Sequence, residues 1–308
     1  MATLYRSESP GDWGTMQAPA TGGEVGTASM RFTNRPDIFY RFWRVGAPQT
    51  LLLMHGLGAH SGWFIDMGNE IAARGVNVYA LDHQGFGRSG GTRGHVEKWQ
   101  SFLTDIDHLV DVIHTDLPQQ PLFMLGHSMG GVFATHYAAT HGDKLAGVIL
   151  LNPWIADTTK LNLGRVASIL IGGMRGSDAI VKLPDTGTTR TMTTNSEADK
   201  LLREDTYWVN MRTKAFYWQI TQMRGQTLAR AKQITIPTLV LQADNDLAVT
   251  IPGTRKAYAT IPSADKTYIN YPDYDHDSEF QSDRARLDDD IVAWVKGHGG
   301  AATNASAS

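Results

Sequence analysis

Short, unbroken apolar runs alternate with helical patterns along most of this chain, and that alternation restricts its fold more than any other feature. The runs are Thr50–Met54, Val76–Leu81, Pro121–Leu125, Leu145–Leu151, Thr238–Leu241 and Thr267–Tyr271. They lack the polar alternation of a half-exposed strand, so they suit strands covered on both faces. Helical periodicity fills the gaps over Phe64–Arg74, Glu97–Asp116, Met129–His141, Gly253–Ile261 and Asp283–Lys296. Strand–helix alternation predicts an α/β fold, a mostly parallel sheet with helices on both sides. Ahead of it, residues 27–45 read as an antiparallel hairpin around Asn34-Arg35-Pro36-Asp37.

One stretch breaks the rhythm. Between Asn152-Pro153 and Ile236-Pro237 lie about 80 residues without a good strand, too long for a plain connection. Helical patches (Leu163–Ile171, Glu197–Val209, Arg212–Arg224) alternate there with Gly/Thr-rich loop. The expected organisation is a flexible leader over 1–26, a sheet domain over 27–153 and 233–296, a helical cap over 154–232 and a disordered tail over 297–308. Trp154, Leu170, Ile171, Tyr207, Trp208, Phe216 and Trp218 are candidates to line a pocket beneath the cap.

The pattern G-x-S-x-G occurs twice. Gly126-His127-Ser128-Met129-Gly130 follows the apolar run PLFML and precedes the helical run VFATHYAATH. A strand that turns abruptly into a helix exposes the serine, and the helix N-terminus favours developing negative charge. The second copy, Gly87-Arg88-Ser89-Gly90-Gly91, is followed by more loop, which makes Ser89 a decoy. Ser128 is therefore the candidate nucleophile, and it needs a base and an orienting acid. Among the downstream histidines, His136 and His141 ride on the serine's own helix and His298 sits in the tail. His276, between the last strand and the last helix, is the candidate base. The loop after Thr238–Leu241 offers Asp244 and Asp246. Asp246 precedes Leu-Ala-Val, which can anchor the loop, whereas Asp244 suits a turn-capping role. For an oxyanion hole, the amide of Met129 and the amide of Leu57 in His55-Gly56-Leu57-Gly58 are the candidate donors.

These residues resemble a known family. HGLGAHSGW (55–63), LDHQGFGRSGGTRGHV (81–96), GHSMGG (126–131) and QADNDLAV (242–249) are similar to the monoacylglycerol lipase and lysophospholipase branch of the α/β-hydrolases. The resemblance covers about residues 28–296 and is weakest across the insertion. It implies the α/β-hydrolase fold with a cap over an acyl-binding tunnel. It also implies Ser128 as nucleophile, Asp246 as acid, His276 as base, and Leu57 and Met129 as amide donors. Three positions depart from the family pattern: Trp63 replaces a common Arg, Ala243 a common Gly, and Asp277 the Glu that often follows the histidine.

Composition narrows the alternatives. With 28 basic against 31 acidic residues, the chain lacks the basic excess of a nucleic-acid binder. It has no cysteine, which removes thiolate nucleophiles, disulfides and cysteine-ligated metals. No glycine-rich nucleotide motif follows a strand, and no histidine pair has the spacing of a helical metal site, so neither cofactor nor metal is expected. The acidic run Asp288-Asp289-Asp290 reads as a solvated face. The first residues contain no continuous apolar segment, which predicts no signal peptide and a cytoplasmic location. The expected activity is a serine carboxylester hydrolase cleaving small-molecule, monoacylglycerol- or lysophospholipid-like esters through an acyl-enzyme, with transient membrane-surface contact through the cap. A generic short- or medium-chain esterase and a carbon–carbon bond hydrolase are alternatives on the same triad. A peptidase is another, and would use cap acids among Asp185, Glu197, Asp199, Glu204 and Asp205 to hold a free amine, although a solvated surface is the expected place for them. An intact triad disfavours a non-catalytic binder.

Overall fold

The computed structural model describes residues 14–156, 163–182 and 192–299. Among the described residues eight strands form one sheet, whose spatial order by position along the chain is first, second, fourth, third, fifth, sixth, ninth and tenth. The hairpin β1 (Glu24–Met30) and β2 (Ile38–Arg44) is antiparallel, and β2 joins β4 (Asn77–Leu81) antiparallel as well. From β4 through β3 (Thr50–Met54), β5 (Leu122–His127), β6 (Gly147–Leu151), β9 (Thr238–Ala243) and β10 (Lys266–Tyr271), every pairing is parallel.

Burial of the central strands on both faces explains their unbroken apolar runs. Leu52, Met54, Met124, Val148 and Leu150 enter one core layer, while Leu51, Leu53, Phe123, Ile149 and Leu151 enter the other. The first layer is closed by α2 (Gln100–Asp116) and α3 (Met129–Thr140), the second by α1 (Ile65–Ala73) and α8 (Ala285–His298). Helix α7 (Ile251–Thr260) lies between β9 and β10.

The insertion follows β6. Its described residues hold α4 (Leu163–Met174), α5 (Ser196–Glu204) and α6 (Lys214–Ala231), together with strands β7 (Ile180–Lys182) and β8 (Met211–Thr213). The small antiparallel ribbon β7–β8 corrects the expectation of an all-helical insertion. Three-residue strands are too short to leave a periodic signal.

Both ends also depart from expectation. Residues 1–13 and 300–308 lie outside the described residues. Within the expected leader, however, Gln17 N–H donates to Asn69 Oδ1, Asn69 Nδ2 donates to Thr15 O, and β1 begins at Glu24. In the expected tail, Gly297 and His298 complete α8, with the imidazole packed against Trp294. The acidic run divides too: Asp288 is buried and paired with Arg284 at 3.0 Å.

Candidate active site

Ser128 sits where β5 ends and α3 begins, with φ 53° and ψ −113°. This backbone region is costly for a residue with a side chain, and it presents the serine at the sheet's carboxyl edge. The neighbouring glycines are required by close approach. A β-carbon on Gly130 would overlap Met54 O, and one on Gly126 would overlap Gly130 O. Gly56 lies directly over the serine, since its β-position is 3.2 Å from Ser128 Cβ. Leu57 is therefore on the loop that crosses Ser128, and Met129 opens the helix behind it.

The structure brings His276 and Asp246 to the same point. His276 Nε2 is 2.9 Å from Ser128 Oγ, and Nδ1 is 2.7 Å from Asp246 Oδ2. With an ionised Asp246 as partner, the proton belongs on Nδ1, which leaves Nε2 to accept from the serine hydroxyl. Burial alone would raise the Asp246 carboxyl, but His276 and the amides of Val249 and Ala248 hold it below its ordinary value. Burial works against the His276 cation as well; the Asp246 charge and hydrogen bond outweigh it, so this imidazole titrates above its ordinary value. Asp244 stands apart, with Asn270 Nδ2 at 3.3 Å from its Oδ2.

Other buried groups orient these loops, and sequence reasoning missed them. Asn152, at φ 43°, receives Ala243 N–H on Oδ1 and donates through Nδ2 to His276 O (2.7 Å) and Ser278 Oγ. It ties the ends of β6 and β9 to the histidine loop. His127 Nε2 donates to the same carbonyl at 2.9 Å, and burial keeps this ring neutral, its pKa lowered to about 3. Asn-Pro directly after an apolar strand was the available sequence signal for Asn152. Behind them, burial pushes Asp277 up to about 7 and Glu279 well above its ordinary value. His127, His276 and Asp277 bring potential metal-ligand atoms within 4.8 Å of one another, yet Ser128 and Asp246 already occupy both His276 nitrogens.

The other named residues take structural places, some of them unexpected. Ser89, the decoy, donates to Asp82 O and accepts from Phe39 N–H, a structural tie beneath β2. Phe216 belongs to the core against Phe86, while Ile171 is 47% exposed on α4. Asp185 lies outside the described residues, and Asp199 pairs with Arg203. Asp205 is no surface acid: its side chain is 0% exposed and binds His60 and Trp63 of the core. The Trp63 departure thus joins the sheet domain to the insertion.

A sharp strand–helix serine, a histidine and an aspartate in hydrogen-bonded line, all on loops at the carboxyl edge of a mostly parallel sheet, define a serine hydrolase of α/β-hydrolase fold. A family model described as serine aminopeptidase S33 matches residues 47–283, and the chain belongs to that family. It is 28% identical over 251 residues to a monoacylglycerol lipase of Mycolicibacterium smegmatis, covering 80% of this chain and 88% of the relative. A monoglyceride lipase of Rattus norvegicus is 28% identical over 243 residues, covering 76% and 78% of the two chains. The fold is also that of a soluble variant of monoglyceride lipase from Saccharomyces cerevisiae, with a TM-score of 0.80, 19% identity and coverage of 96% and 98%.

Proposed function

We propose that this protein hydrolyses single-chain carboxylic esters, monoacylglycerol- or lysophospholipid-like, through an acyl-enzyme on Ser128. The observation that carries the reading is the Asp246–His276–Ser128 line, with bonds of 2.7 and 2.9 Å. Ser128 Oγ attacks the ester carbonyl carbon while His276 Nε2 takes its proton, and Asp246 steadies the resulting imidazolium. Negative charge on the carbonyl oxygen is received by the Leu57 and Met129 amides. His276 then gives the proton to the departing alkoxide. Water, deprotonated in turn by His276, attacks the acyl carbon; the acid leaves and the serine is restored.

The preference for lipid-like esters rests on the named relatives, which this chain matches over most of both lengths. Exposed apolar side chains support contact of the cap with a lipid surface. Ile171 and Met174 on α4 and Ile180 and Met211 on the β7–β8 ribbon are 45–57% exposed. Among the described residues no helix is long and apolar enough to cross a membrane, so such contact would be superficial. In the organisation that fits this reading, residues 27–153 and 233–296 carry the chemistry and residues 154–232 cover it.

The test is initial rates on monoacylglycerols, lysophospholipids, p-nitrophenyl esters of rising chain length and aminoacyl amides, for the wild type and Ser128→Ala. The reading expects ester turnover that increases beyond short acyl groups and falls at least about 10⁴-fold in the variant. Amide hydrolysis without ester hydrolysis would point to a peptidase instead, and peak activity on acetyl esters to a short-chain esterase.

A further inference from the structure

The cap does more than roof the site: one of its carboxylates grips the loop that crosses Ser128. Asp205 follows α5, and each of its two oxygens meets N–H donors. Oδ2 accepts from His60 Nε2 and Trp63 Nε1, both at 2.8 Å, and Oδ1 accepts from the amides of Tyr207 (2.8 Å) and Trp208 (3.2 Å). The His60 tautomer is fixed by its neighbour. Gly62 N–H donates to Nδ1, so the ring proton lies on Nε2 and points at the carboxylate. Asp205 stays ionised; burial would raise it, but the His60 and Trp63 bonds and the Tyr207 amide hold it below its ordinary value.

The segment held by Asp205 then clasps the loop itself. Val209 N–H donates to Gly58 O at 2.9 Å, one residue beyond Leu57. Gly58 has φ +86°, and a β-carbon there would stand 2.8 Å from Val209 O and 3.0 Å from Trp208 Nε1. The loop is thus pinned at Gly58 by the cap backbone and at His60 and Trp63 by the cap carboxylate. Thr213 N–H bonds Gly94 O and Arg93 bonds Tyr207 O, so the clasp is itself anchored to the core.

We propose that Asp205 is a positioning residue: acting from the cap, it fixes the 58–63 turn and thereby holds the Leu57 amide in place for ester hydrolysis. This rests on the proposed esterase mechanism, in which that amide receives the carbonyl oxygen. An amide displaced by a fraction of an ångström serves the transition state poorly while scarcely altering ground-state binding. Asparagine has the same shape, but its amide nitrogen must face either the two ring N–H groups or the two backbone N–H groups, donor against donor.

The test compares Asp205→Asn, the milder Trp63→Phe and the donor-retaining His60→Gln, with kcat expressed per site that reacts with a fluorophosphonate. Trp63→Phe keeps a ring to pack against Phe280 and removes the indole donor. Asp205→Asn is expected to lower kcat per reactive site about 10- to 100-fold with KM within about threefold. Trp63→Phe should lose about three- to tenfold, and His60→Gln should stay closer to wild type than Asp205→Asn. Affinity for an alkylboronic acid, which forms a tetrahedral adduct on the serine, should weaken in step with kcat. A kcat per reactive site within twofold of wild type in Asp205→Asn, or in Trp63→Phe if the former is insoluble, overturns the proposal. So does a loss confined to KM. Failure of the esterase reading shows separately, as wild-type protein without ester turnover.

Discussion

At the residue scale, the proposed chemistry depends on how the environment divides two buried histidines. His127 and His276 are both buried and in ring contact, yet they titrate in opposite directions. His127 faces a backbone carbonyl and buried acids that burial keeps toward their neutral forms, so desolvation dominates and it stays neutral. His276 has the Asp246 charge at 2.7 Å, and that charge outweighs desolvation. The base works only when neutral. Activity should therefore rise with pH through a midpoint above the ordinary histidine value of 6.5 and be lost below it. Asp246→Asn should move this acid limb to lower pH and reduce kcat about 10³- to 10⁴-fold, because the tautomer is no longer fixed. A pH–rate profile of both proteins checks it; an unmoved limb would mean that His276 is not the titrating base.

At the scale of elements, the serine turn works because a helix begins almost in contact with two strand ends. Gly126 and Gly130 have no room for a side chain, since Met54 O and the Gly130 backbone occupy the space. Gly130→Ala must part α3 from β3, an overpacking that costs about 1–3 kcal/mol or more. The expected result is a melting temperature lower by about 3–10 °C, or loss of soluble protein, read by thermal denaturation. An unchanged melting temperature would contradict the contact. This element was legible in the sequence because the chemistry is local: an apolar strand, G-x-S-x-G and a helix follow one another within about twenty residues. The strand runs were legible for a related reason, since burial on both faces leaves little room for polar residues. The sequence favoured Asp246 over Asp244 without excluding either, because a single residue, Asn245, separates them and either carboxylate could have turned inward; in the structure it is Asp246 that meets His276. Asp205 was misread as surface because its partners, His60 and Trp63, lie more than a hundred positions away. The pairing of β7 with β8 was hidden for another reason: three-residue strands about 30 positions apart leave no periodic signal.

For the whole molecule, the proposed active loops converge from four parallel strands, and the insertion after β6 is their proposed cover. It is bonded to both sides of the site. On the histidine side Thr194 N–H donates to Asp275, Asp277 N–H to Met192 O, and Asn195 Nδ2 to Phe280 O. On the serine side Asp205 and Val209 hold the 58–63 turn. The apolar side chains left outside by this arrangement face solvent on α4 and the ribbon. Sedimentation with neutral lipid vesicles should retain the wild type and Ser128→Ala alike, and release Ile171→Asp/Met174→Asp; equal retention of that double variant would remove the surface-contact proposal. The account as a whole turns on a covalent intermediate at one serine. Its most direct test is mass spectrometry of protein quenched during turnover of a monoacylglycerol, in wild type and His276→Ala. The prediction is an acyl adduct on the peptide containing Ser128 in the wild type and none in the variant. An adduct on another residue, or undiminished hydrolysis by Ser128→Ala, would contradict it.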